Sequence, residues 1–178
     1  MPNWCDNTLI VTGSNDRVKQ FYDQNIQEGS IEEGEEAIFN FNNLRPCLNE
    51  DDWYNWRITN WGTKWNGVIH NTEIADNELV IDFNSAWSPP EEWVRYVAEN
   101  HYPDLHFNLS YIETGAGFCG VLEGQGTEFY ENATQPIEED EEGKKVQFSA
   151  KDERYKYVET GKIIEDEDFI PIYINPLI

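Results

Sequence analysis

Val68-Ile-His-Asn-Thr-Glu-Ile74 and Leu79-Val-Ile-Asp-Phe83 alternate apolar and polar residues, and Ala75-Asp-Asn-Glu78 lies between them. Alternation at a period of two lines up apolar side chains on one face of a strand, and the linking residues favour a turn, so this stretch is a β-hairpin. Ser88-Pro-Pro-Glu-Glu92 follows and starts a helix, with a capping hydroxyl, proline in the first turn and acids at the positive end of the dipole. Trp93, Val94, Val97 and Ala98 give that helix one apolar face, Pro103 ends it, and Leu105 to Ile112 alternates as another strand.

Upstream, Thr8-Leu-Ile-Val-Thr12 closes at Gly13 and reads as a strand. Ser14-Asn15-Asp16 then offers N-cap oxygens to a helix bearing Val18, Phe21 and Tyr22. Residues 28–36 hold five glutamates and two glycines and read as an exposed loop. Ala37 to Phe41 is extended. Asp51-Asp52 caps a second helix through Trp53, Tyr54, Trp56 and Arg57, which stops near Trp61-Gly62. The order strand, helix, inserted helical segment, strand, strand, helix, strand predicts an α+β domain of ferredoxin-like βαββαβ plan, with an insertion after the first helix.

Gly115-Ala-Gly-Phe-Cys-Gly120 adds an extended or turning element, and the character changes beyond Gly126. Glu138-Glu-Asp-Glu-Glu142 repels itself too strongly for the interior of an element and predicts a loop, as does Glu165-Asp-Glu-Asp168. Lys144–Ala150 and Arg154–Glu159 predict a hairpin. Residues 1–126 are thus expected to form the ferredoxin-like domain, and residues 127–178 an acidic, β-rich C-terminal extension.

The chain has 178 residues, with 12 Lys+Arg against 35 Asp+Glu, a net charge of −23 and a pI near 4.2. Aromatic residues make up 14%, which excludes an acidic disordered chain. The charge excludes direct binding of a phosphate backbone, which needs clustered Lys and Arg, and disfavours an anionic membrane surface. No run approaches the ~20 apolar residues that span a bilayer, and the start lacks the basic and apolar regions of a signal peptide. Cys5, Cys47 and Cys119 are odd in number and lack CxxC spacing, so neither a disulfide framework nor a zinc site is expected. A cytoplasmic protein is the expectation.

Met1-Pro-Asn-Trp-Cys-Asp-Asn-Thr-Leu9, Phe39-Asn-Phe-Asn-Asn-Leu-Arg-Pro46, Trp53-Tyr-Asn-Trp-Arg57, Asn60-Trp-Gly-Thr-Lys-Trp65 and Phe83-Asn-Ser-Ala-Trp-Ser-Pro-Pro90 together resemble the YubB-like family over roughly residues 1–122. Those are small phage and plasmid proteins. The resemblance implies a ferredoxin-like domain acting inside a bacterial host cell. It implies no activity and no site residues.

The carboxylates supply one candidate site. Acids spaced like phosphates on a folded body compete for a basic groove, and steering speeds the encounter. Glu138, Glu139, Asp140, Glu141, Glu142, Glu165, Asp166, Glu167 and Asp168, with Glu32, Glu33, Glu35 and Glu36, are the candidates; a solvated acidic surface is the alternative. The resulting expectation is a non-enzymatic, phage-encoded inhibitor of a host nucleic-acid-handling defence protein, such as a CRISPR effector or another nuclease with a basic channel. A second expectation places a nucleotide signal on Trp53, Trp56, Trp61 and Trp65, with Arg57 and Lys64 at its phosphate, against the alternative that most of these rings are core.

Other constellations exclude more than they suggest. Gly115–Gly120 lacks the GxxxxGK[ST] lysine and a following helix, so it is no P-loop. Cys119 as a nucleophile needs a base; His101 and His106 are close in sequence, but no triad signature surrounds them. His70, His101 and His106 have no zinc spacing, and the acidic runs do not match the EF-hand loop; no metal and no cofactor are implied.

Overall fold

The computed structural model describes residues 3–29, 36–48 and 51–134, together with the short stretches 137–139, 145–149, 154–157, 163–164 and 172–173. In chain order the elements are β1 (Trp4–Thr12), α1 (Asn15–Asn25), β2 (Ile26–Gln27), β3 (Ile38–Phe39), a 3-10 turn (Phe41–Asn43), α2 (Trp53–Trp61), β4 (Gly67–Ala75), β5 (Glu78–Ala86), α3 (Glu91–Asn100), β6 (His106–Glu113), β7 (Phe118–Gln125), β8 (Glu128–Thr134), β9 (Ile137–Glu139), β10 (Lys145–Ser149), β11 (Arg154–Tyr157) and β12 (Ile172–Tyr173). Among the described residues no helix is long and apolar enough to cross a membrane.

The α+β class holds. An antiparallel sheet runs β2-β3-β4-β5-β1-β6-β7-β8, with β1 central between β5 and β6. Along these strands burial alternates: Cys5, Asn7, Leu9 and Val11 on β1, Leu79, Ile81, Phe83 and Ser85 on β5, and Phe107, Leu109 and Tyr111 on β6. These residues share the face covered by Val18 and Phe21 of α1 and by Trp93, Val94 and Val97 of α3. The core is mostly aromatic. Phe21 packs edge-on against Tyr102, Phe107 and Trp93, at centroid distances of 5.4, 5.7 and 6.3 Å, and Phe39 does the same against Phe83 at 5.1 Å. Each such pair adds roughly 0.5–1.5 kcal/mol beyond its buried area. The Trp93 indole N–H donates to the Phe41 carbonyl at 2.8 Å and anchors the inserted segment to α3.

The structure departs from the sequence expectations in particular places. β8 begins beyond residue 126, the expected end of the first domain, yet pairs with β7 from Cys119↔Thr134 to Gln125↔Glu128. Glu138 and Glu139, read as part of a loop, stand in β9, where Glu139 is opposite Lys145 of β10. β10 and β11 form the expected hairpin, within a further sheet ordered β11-β10-β9-β12. Ser88, read as the cap of α3, instead donates its hydroxyl to the Gly62 carbonyl, and Pro90 occupies the N-cap position.

Candidate functional site

α2 presents Trp53, Tyr54, Trp56, Arg57 and Trp61 on little more than two turns of helix. It ends at Gly62, whose φ of +85° is left-handed and whose Cβ, were there one, would lie 2.8 Å from the Pro89 carbonyl. Only glycine turns the chain there and lets the two segments meet. Thr63 is buried and donates its hydroxyl to the Ala86 carbonyl at 2.9 Å. The loop after α2 is therefore laced to the loop after β5.

Trp87 sits in that second loop with φ +71°, the only positive φ at a non-glycine among the described residues. A bulky residue pays for this conformation, which persists only where its surroundings over-determine it. Here they do. The Trp87 amide donates to the Asn3 carbonyl at 2.9 Å, the Ser85 hydroxyl to the Ser88 carbonyl at 2.7 Å, and Asn7 Nδ2 to the Ser85 hydroxyl at 2.9 Å.

The lacing brings aromatic rings from four segments to one surface. Trp4, Trp53, Tyr54, Trp65 and Trp87 are each 36–40% exposed. Trp53 lies 6.0 Å from Tyr54, Tyr54 lies 6.1 Å from Trp87, and Trp65 lies 6.5 Å from Trp4. The Lys64 ammonium is over Trp65, Trp87 and Tyr54 at 4.4, 4.8 and 5.8 Å, which closes the group into a continuous patch.

Arg57 is held differently. Its guanidinium stands 4.7 Å from the Trp61 ring and 5.1 Å from the Trp53 ring, and its Nε is buried without a hydrogen-bond partner. Among the described residues neither Arg57 nor Lys64 forms an ion pair with a carboxylate, although Arg17, Lys19 and Arg95 do. Arg57 and Trp53 also line a cleft of about 560 Å³, with Asn40, Asn42, Asn66 and Cys47.

The tryptophans of the sequence reading thus divide. Trp61 is fully buried and its indole N–H donates to the Arg45 carbonyl at 2.9 Å; Trp56 is half-buried against the core; Trp53 and Trp65 face outward. Of the candidate acids, Glu36 is exposed and Glu138 and Glu139 lie on β9, whereas Glu32, Glu33, Glu35, Asp140, Glu141, Glu142, Glu165, Asp166, Glu167 and Asp168 lie outside the described residues. Sequence reasoning missed Trp4, Tyr54 and Trp87 as surface rings and missed the asparagines. The signals present were the Trp-Ser-Pro-Pro string and the recurrence of Asn40, Asn42 and Asn66 beside aromatic residues.

Cys119 is buried, and burial pushes its thiol up from the ordinary range, which disfavours the thiolate. It pairs with Ile112 on β6, while His106 pairs with Gln125 at the other end of the same hairpin. Six strand residues separate them, roughly 20 Å at the usual rise.

The family model for the ferredoxin-like domain in Api92-like protein matches residues 60–159. This is a ferredoxin-like match, as the YubB-like resemblance implied, and it begins within α2 and takes in Lys64, Trp65 and Trp87. No curated protein matches the chain, and no solved structure does.

Proposed function

We propose, from the premise that this chain belongs to the family of the ferredoxin-like domain in Api92-like protein, that it is a binding protein that docks on a basic protein surface. The observation that carries this reading is the continuous exposed patch of Trp4, Tyr54, Trp65 and Trp87 around Lys64. Tryptophan and tyrosine dominate interface hot spots because each buries a large rigid surface at small entropic cost. A net charge of −23 makes self-association through this patch unfavourable and selects a partner of opposite sign.

Proteins with extended basic surfaces are above all those that handle nucleic acid. The partner class is accordingly a host defence nuclease or guide-RNA effector, and the biological setting that of a phage- or plasmid-encoded inhibitor acting in the bacterial cytoplasm. In this scheme the rings supply the desolvated centre. The acids named from the sequence supply the negative charge that competes with nucleic acid for a basic groove.

Displacement of labelled duplex DNA from a panel of basic bacterial nucleases tests the reading. The wild-type protein releases DNA from at least one member, less effectively at ~500 mM than at ~50 mM salt, because screening shortens from roughly 14 to 4 Å. Tyr54→Ala with Trp87→Ala reduces release at both salt concentrations. Failure to displace DNA from any nuclease, or equal potency of the double variant, refutes it.

A further inference from the structure

The cleft beside α2 is lined by three asparagines whose carboxamide oxygens each accept a backbone amide. Asn66 Oδ1 accepts the Phe41 amide at 3.0 Å, Asn40 Oδ1 accepts the Asn42 amide at 3.1 Å, and Asn42 Oδ1 accepts the Cys47 amide at 2.9 Å. A carboxamide has one acceptor oxygen and one NH2 donor group, so these bonds fix the orientation of all three side chains. Their Nδ2 groups have no acceptor among the described residues. Arg57 adds a guanidinium whose Nε is buried and unpartnered. Trp53, 38% exposed, flanks it with a ring face.

Such a lining is selective. Among the described lining residues the side chains are rich in donors, the one fixed charge is positive and there is no carboxylate. An oxyanion offers acceptors to the NH2 groups and the guanidinium, which a cationic ligand does not. At about 560 Å³ the cleft is larger than a bare phosphate needs and falls within the usual range of pockets for drug-sized ligands. The exposed indole provides a stacking surface for a flat heterocycle. We propose that this cleft binds a nucleotide, with its phosphate on Arg57 and the asparagine NH2 groups and its base against Trp53. The overall negative charge does not forbid this, since fields from exposed carboxylates beyond about 8 Å are screened at physiological salt.

This site adjoins the docking patch of Trp4, Tyr54, Trp65 and Trp87 through the Trp53–Tyr54 contact, but its test does not involve a protein partner. Calorimetric titration of the full chain at 150 mM salt with nucleoside 5′-monophosphates and cyclic dinucleotides should give saturable binding by at least one. The matching nucleoside and inorganic phosphate should each bind at least tenfold more weakly. Asn40→Asp and Asn42→Asp keep the oxygen that accepts the backbone amide but exchange a donor for an anion. Both variants should retain the wild-type melting temperature within a few degrees and lose at least tenfold in affinity. Arg57→Gln should do the same to binding. Cys47 lines the cleft while Cys5 and Cys119 are buried, so bound nucleotide should slow the reaction of Cys47 with an aromatic disulfide reagent severalfold. Absence of saturable binding across the panel, equal affinity for nucleoside and nucleotide, or full binding by Asn42→Asp would overturn the proposal.

Discussion

The Ser85 hydroxyl donates to the Ser88 carbonyl at 2.7 Å and so spans the left-handed residue between them, Trp87. The same oxygen accepts Asn7 Nδ2, which ties the turn to the central strand. Ser85→Ala therefore strips a partner from a carbonyl and from a buried amide at once. We expect a loss of about 1–3 kcal/mol in urea unfolding, with Trp87 less well held.

Trp87 gives a sharper test of backbone strain. Trp87→Gly and Trp87→Ala remove the same ring, but only alanine keeps a Cβ at φ +71°. The glycine variant should be the more stable of the pair by about 1 kcal/mol, against the usual helix or strand preference, because the left-handed penalty outweighs the entropy gained in the unfolded chain. Parallel thermal melts decide it.

Trp53 and Trp61 lie on the same helix and should behave oppositely. Trp61→Ala empties a fully buried site and should cost about 3–5 kcal/mol. Trp53→Ala removes a partly exposed ring and should cost under about 1 kcal/mol, its effect falling on ligand binding instead.

Glu91 sets a pH dependence. Burial, then the charge of Glu131, raises its pKa above the ordinary 4.5, and its Oε1 has no hydrogen-bond partner. The folded state therefore holds this proton more tightly than the unfolded chain, so the ionised carboxylate penalises folding at neutral pH and the penalty fades as pH falls through the raised pKa toward 4.5. Glu91→Gln should melt higher than wild type at pH 8, with the gap closing by pH 5. A gap independent of pH would assign the effect to packing.

Much of the fold could be read from local pattern because its signals were local. The β4–β5 hairpin, α1, α3 and β6 each carry their own periodicity and breakers. β7 and β8 did not, since the glycines between residues 115 and 126 look like punctuation. Gly124 shows why they are not: a Cβ there would collide with the backbone at Glu128 and Phe129, so glycine inside the strand marks close approach to its neighbour. The site was half legible. Arg57, Lys64, Trp53 and Trp65 stand out by composition around one helix. Trp4 and Trp87 reach the same surface only through the lacing of Asn3, Ser85 and Thr63, which has no signature in sequence spacing.

The uneven wrapping of the indoles has an optical consequence. Trp61 and Trp93 are sealed from solvent, whereas Trp4, Trp53, Trp65 and Trp87 are 36–39% open. Two emitting populations follow, one blue-shifted and insensitive to acrylamide, the other red-shifted and readily quenched. Whatever comes to rest on the outer rings should move the spectrum toward the blue, so the molecule carries its own label-free reporter of occupancy.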